Sequence, residues 1–219
     1  LRELPLAWLA RLGDAPLANL GLSGNLVFDA AWDLALSDSL RLRASLVRRS
    51  GDIRVLADNL PGSLEAGTAV DAGVRNARID LAMDNEAVTV GLRWDSERAG
   101  TAQADLGTRL VRDGQGWAWP AGAPLSGSVT ARLPQVGVWS LLAPPGWRMR
   151  GTLDASLTLT GTRQAPDWSG RIQADGLALR SVVDGIEFGN GRLRARMQGQ
   201  RLYIEEFALQ GAGGAAGGL

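Results

Sequence analysis

From Leu22 to Leu209, apolar and polar residues alternate one for one in segment after segment, and Gly, Asp, Asn or Pro separate the segments. In GTLDASLTLTG, Leu153, Ala155, Leu157 and Leu159 share one parity, while Thr152, Asp154, Ser156 and Thr158 share the other. Successive side chains of a strand point to opposite faces, so this period of two predicts a sheet with one apolar and one polar side. The same parity groups Leu26 and Phe28 with Ala30 and Trp32, Leu42 and Leu46 with Leu40 and Ala44, and Ile79 with Leu81 and Met83. Further along it groups Val88, Val90 and Leu92 with Trp94, Val129 with Ala131 and Leu133, and Leu193 with Ala195 and Met197. Ile172, Leu202 and Ile204 complete the apolar set. Glu205 and Glu206 break the alternation ahead of Phe207 and Leu209, which predicts a β-bulge that resets the face.

Turn residues recur at short intervals: Asp84-Asn85, Arg98 to Gly100, Asp113 to Gly116, Asp184-Gly185 and Gly189 to Gly191. Regular punctuation of this kind predicts consecutive antiparallel hairpins or meanders. Leu60 to Gly73 has few strand formers and reads as a long loop. Two stretches look like copies of one unit: LPLAWLARLGDAP from Leu4 leads to GNLVFDAAWD, and LPQVGVWSLLAPP from Leu133 leads to GTLDASLTLTG. Pro5 and Pro134 suit the first turn of a helix, because the missing N–H is no loss there. Leu6, Leu9 and Leu12, like Val138, Leu141 and Leu142, would then line one side of a short helix resting on the sheet. The expectation is an all-β fold: a long, curved, mostly antiparallel sheet forming an open apolar trough, with two short amphipathic helices. Its units are residues 1–124, with an N-terminal helix, and 125–219, with a helix near 135–143, joined as one continuous repeat-like domain.

Composition changes the picture in three ways. The 219 residues include 29 Gly and only 12 aromatics (8 Trp, 3 Phe, 1 Tyr), so the apolar side is paved with Leu, Val and Ala rather than plugged with rings. Net charge is zero, and all 23 basic residues are Arg spread among 23 acids, which excludes the basic stripe of a nucleic-acid binder. Arg192, Arg194 and Arg196 share a parity and read as a solvated outer surface. Among the Trp residues, Trp117 and Trp119 in a Gly-rich turn are the best candidates for exposure.

His and Cys are absent, so the familiar nucleophile and base pairs and the usual zinc ligands cannot be assembled. The acids sit at turns or, as Glu205 and Glu206, side by side, which disfavours a carboxylate-pair hydrolase. The terminal GAGGAAGGL fails the spacing of a phosphate loop. No enzyme activity, cofactor or metal is expected. No run reaches the roughly 18 apolar residues of a membrane-spanning helix, and the chain reads as a piece of something longer, with any anchor outside it.

Residues 125–211 open with LSG, carry the LP stretch at Leu133-Pro134, continue as GTLDASLTLTGT with Pro166 and Gly170 in P-x-x-x-G spacing, and close through VDGIEFGNGRLR to QG. In order and spacing these elements resemble the C-terminal region of the TamB family, the translocation and assembly module subunits related to AsmA-like, bridge-like lipid transfer proteins. The resemblance implies a periplasmic segment of a Gram-negative cell-envelope protein, with the full-length protein held in the inner membrane from outside this chain. It also implies a TamA-like outer-membrane barrel as partner and phospholipid acyl chains as cargo in an apolar groove. A rival expectation makes the same trough a chaperone for outer-membrane protein β-strands, which would add to a free sheet edge. The third is a closed, dry structural stalk.

Overall fold

A computed structural model describes residues 3–5, 23–36, 40–56, 69–114, 116–138, 147–181, 185–211 and 216–218. The strands are β1 Leu4–Pro5, β2 Ser23–Gly24, β3 Val27–Leu36, β4 Leu40–Ser50, β5 Ile53–Leu56, β6 Ala69–Asp71, β7 Val74–Asp84, β8 Ala87–Ser96 and β9 Gly100–Arg109. They continue as β10 Val111–Asp113, β11 Gly116–Ala118, β12 Leu125–Leu133, β13 Trp147–Gly161, β14 Pro166–Ser181, β15 Ile186–Gly199, β16 Arg201–Gly211 and β17 Ala216–Gly218. One sheet takes the order β1-β3-β4-β7-β8-β9-β12-β13-β14-β15-β16-β17, and each of its neighbouring pairs is antiparallel. Among the described residues the sheet does not close on itself, and β9, before residue 124, pairs directly with β12, after it.

Short connections explain this order, because a strand joined to the next by a tight turn pairs with it most readily. Asp84 pairs with Ala87, leaving Asn85-Glu86 as a two-residue turn; Asn85 takes φ of 52°, a conformation Asn tolerates better than most residues. The expected bulge lies between β15 and β16: Arg194 pairs with Glu206 and Ala195 with Ile204, so Glu205 is the extra residue. Leu202, Ile204 and Phe207 therefore keep to one face, opposite Met197, Ala195 and Leu193.

Near one end of the strands the chain turns a corner. β3, β4 and β7 continue past Asn25–Leu26, Gly51–Asp52 and Ala72–Gly73 into the small sheet β2-β5-β6. The Asp52 carboxylate holds this corner, accepting the amides of Ile53 at 2.8 Å, Gly73 at 3.0 Å and Val74 at 3.2 Å. Asp52 also accepts from the Asn25 amide through its carbonyl, and its own amide donates to Asn25 Oδ1 at 2.8 Å. Gly51 takes φ of 81°, and a Cβ there would strike the Asn25 carbonyl, so the corner needs glycine. Inside the bend Leu26, Phe28, Ile53, Ala72, Val74, Ala77, Ala99 and Val138 form a buried cluster, with Leu46, Val70 and Trp94 packed against it. Asp52→Ala strands three amides at this half-buried site and is expected to cost about 2–4 kcal/mol in urea unfolding; Asp52→Asn, which keeps one acceptor oxygen, should cost less.

Three expectations need correction or lie outside the described residues. Leu4 and Pro5 are extended, paired with Phe28 and Val27, where a helix start was expected; residues 6–22, with Leu6, Leu9 and Leu12, lie outside. Of the helix expected near 135–143, residues 136–138 form a 3₁₀ turn in which Val138 is buried in the corner; residues 139–146, including Leu141 and Leu142, lie outside the described residues. A 3₁₀ turn closes with few bonds, and burial of Val138 stabilises this one. Of the loop expected over Leu60 to Gly73, Ala69–Asp71 is instead strand β6 on β5, because the corner supplies a backbone partner, and residues 57–68 lie outside.

Candidate functional site

Register turns the alternation of each strand into rows that cross the sheet. One row reads Ala30, Leu46, Ile79, Leu92, Ala104, Val129, Leu157, Gly170, Met197 and Leu202, each directly opposite the next on ten successive strands. At about 4.8 Å per strand, its nine gaps span about 43 Å. Toward the turns, a second row carries Trp32, Ala44, Leu81, Val90, Leu106, Gly127, Leu159 and Trp168, and a third carries Leu34, Leu42, Met83 and Val88. Toward the corner lie Ala77, Trp94, Ala102, Ala131, Ala155, Ile172, Ala195 and Ile204, then Leu133, Leu153, Ala174, Leu193 and Phe207.

All twenty residues expected on the apolar side lie on this face or in the corner beside it, and their environments differ. Leu26 and Phe28 are locked in the corner cluster, and Met83 and Leu159 are buried. Leu42, Leu46, Leu81, Val88, Val90, Val129, Leu133, Leu153, Leu157, Ile172, Leu193 and Met197 are half-buried. Ile79 is 41% exposed, Leu202 51% and Ile204 61%, with Leu92 also exposed, so the face is open to solvent over much of its length. Parity reasoning missed Leu34 and Leu106 as lining residues, although each shares its strand's apolar parity. β9 hid its contribution because Ala102 and Ala104 give only a faint alternation against Thr101, Gln103 and Asp105.

Small residues shape the face further. Ala102, Ala131, Ala155 and Ala195 lie along one row, broken only by Ile172 and flanked by Val129, Leu157 and Met197 on one side and by Leu133, Leu153 and Leu193 on the other. This makes a shallow lane that runs across the strands and ends at Trp94, whose indole N–H is buried without a partner among the described residues.

The opposite face is ionic and self-neutralised. Arg78 meets Asp80 at 2.6 Å, Arg93 meets Asp105 at 2.9 Å, Arg132 meets Asp154 at 3.0 Å and Arg194 meets Asp175 at 2.7 Å. Arg192 and Arg196 reach Glu206 and Glu205, each at 3.5 Å, so this strand's arginines form the solvated outer surface expected of them. Two cavities open here, one of about 390 Å³ between Gln103, Thr130, Arg132 and Arg171 and one of about 700 Å³ between Arg78, Asp80, Arg93 and Asp105. Long polar side chains standing off the sheet line these hollows together with Ala131 and Ala155 in the first and Ala82, Val90 and Leu106 in the second. Trp117 and Trp119 are exposed, as expected; the Trp119 indole donates to Thr108 Oγ1 at 2.9 Å, and the Arg163 guanidinium stacks 5.0 Å from its ring.

The hydrogen bond from Arg78 holds the Asp80 carboxyl below its ordinary value of 3.8. A lowered folded-state pKa means the contribution is complete above 3.8 and is lost as the pH falls through the folded value. Both groups are well exposed, so the effect is small. The urea midpoints of the parent and Asp80→Asn are expected to differ slightly at pH 7 and to converge on acidification below 3.8.

Comparison of the chain with protein-family models, with curated proteins and with solved structures finds no match in any of the three.

Proposed function

We propose that this chain is a lipid-carrying segment whose open apolar sheet face holds phospholipid acyl chains while their head groups stay in water. The observation that carries the reading is the unbroken row from Ala30 to Leu202, an apolar path across ten strands whose members are half-buried or exposed in their middle stretch. A soluble domain with its core complete would cover such a face, because contiguous exposed apolar surface marks a binding site or an aggregation hazard. Each methylene laid on the face contributes about 0.8 kcal/mol when fully buried. Along a row of Leu, Val, Ile and Ala the environment changes little from strand to strand, so a tail is retained yet free to slide. The lane of alanines supports a tail lying across the strands. The likeness of residues 125–211 to the TamB family supports placing the segment in the periplasm between the two membranes, with an inner-membrane anchor outside this chain and a TamA-like barrel as partner. No catalytic step is part of this reading.

The test pairs lipid mass spectrometry of the purified chain with a photo-crosslinking residue at Leu157 on the apolar face and, as control, at Thr158 on the polar face. Phospholipid adducts at Leu157 and none at Thr158 are expected. A protein free of lipid, or equal labelling at both positions, would overturn the proposal.

A further inference from the structure

β16 is an edge whose sequence complements itself. β17 pairs with it only at Ala208, Leu209 and Gln210, so from Arg201 to Phe207 its outer backbone meets no strand among the described residues. Leu202, Tyr203, Ile204 and Phe207 are all exposed there. Bare edges of this kind are templates for another strand, and natural sheets usually guard them with charge or a bulge; here the Glu205 bulge lies at the end of the stretch and leaves Arg201 to Ile204 in regular register with β15. Charge of one sign would repel a second copy. Here the two signs are arranged symmetrically: Arg201 and Glu205 lie two residues either side of Tyr203, and Leu202 and Ile204 one residue either side.

We propose that β16 pairs with β16 of a second copy of this chain, antiparallel about a two-fold axis through Tyr203, so that two sheets join into one. In this register Arg201 faces Glu205 of the second copy, Leu202 faces its Ile204, and the two Tyr203 rings meet. The remaining two contacts repeat these by symmetry, as an isologous interface requires. Polar residues stay with polar and apolar with apolar, whereas a register shifted by one would put Leu202 opposite Tyr203 or Glu205, across the two faces. Glu206 of the second copy would fall opposite Gln200, past the end of the strand, so neither β17 intrudes on the paired stretch. Arg201 has no ion-pair partner of its own among the described residues, whereas Glu205 shares Arg196 at 3.5 Å and can accept a second cation. The joined sheet carries the row of Met197 and Leu202 into the row of Ile204 and Ala195 of the other copy, making one longer apolar face.

The experiment is sedimentation velocity of the full chain over a concentration series, with three variants. A concentration-dependent dimer is expected for the parent. Arg201→Glu places Glu against Glu at both symmetric positions and should weaken the dimer about tenfold or more, like charges opposite one another being destabilising. The double exchange Arg201→Glu with Glu205→Arg restores opposite signs and should restore association. Ile204→Pro, which removes a backbone donor and distorts the strand, should leave a monomer. A parent that stays monomeric throughout, or a double exchange no better than Arg201→Glu alone, would overturn the proposal. So would tighter capture of an unrelated alternating peptide than of the RLYIEEF peptide, since that outcome describes a general strand acceptor. Lipid content is read separately, so failure here leaves the proposed function standing.

Discussion

Leu157→Asp is expected to strip bound phospholipid from the chain while the sheet stays folded. Leu157 is the seventh of ten positions in the longest apolar row, between Val129 on β12 and Gly170 on β14, and is half-buried rather than enclosed. With no tail present the carboxylate can reach water, so folding loses little beyond the leucine's packing on its neighbours. With a tail laid over it, the charge must be desolvated without a partner, which costs several kcal/mol. A penalty of even about 2–3 kcal/mol lowers retention by about thirty- to a hundred-and-fifty-fold. Lipid recovered per mole of protein is the readout, and Thr158→Asp on the polar face should change it little. Equal retention in Leu157→Asp and parent would remove the apolar face from the function. Leu92→Arg, three strands from Leu157 in the same row, tests whether the row is used on both sides of its midpoint.

Gly170→Val is expected to be the most destabilising single change on the sheet, by about 3 kcal/mol or more, with a marked fall in Tm. Gly170 takes φ of 139°, a region that side-chain-bearing residues rarely enter. A Cβ added there would run into the Ser156 carbonyl and lie 2.8 Å from Leu157 Cα. Both obstacles are backbone of β13, so relief requires parting β13 from β14, which also breaks the apolar row between Leu157 and Met197. Gly189→Ala is the matched control. Its added Cβ meets nothing within 4 Å, and stability should hold or rise by a few tenths of a kcal/mol as the unfolded chain loses freedom. A Tm for Gly170→Val within a degree or two of the parent would mean that the strand kinks elsewhere.

Much of this architecture is legible one strand at a time. Thr158 and Leu157 point to opposite sides in any strand, so parity alone sorted the apolar face from the ionic one, and the Glu205–Glu206 doublet announced the bulge that keeps Ile204 and Phe207 together. At the described residues the expected helix starts are not α-helical, for a related reason. Leu4-Pro5 and Leu133-Pro134 carry a local helix-start signal, yet a helix of two turns is marginal in isolation, and pairing with Val27 and Phe28 gives the first of them a backbone partner. The corner was not legible. Asp52 reads as an ordinary turn residue, and nothing local says that its carboxylate will accept the amides of Gly73 and Val74, about twenty residues away.

The candidate site divides along the same line. Periodicity along the chain determined that a two-faced antiparallel sheet would form, which residues would share its apolar side, and that no His or Cys chemistry would be present, since these follow from the geometry of a single strand and from composition. Only the tertiary structure decided that the strands stack in an order that carries Ala30 through to Leu202 as one row, that Leu26 and Phe28 close a corner instead of lining the open face, and that the outer edge of Arg201 to Phe207 is left without a strand beside it among the described residues. Those outcomes depend on register and on contacts between segments far apart in sequence, where one bulge or one shared carboxylate sets which side chains meet, and the chain's local pattern holds no record of them.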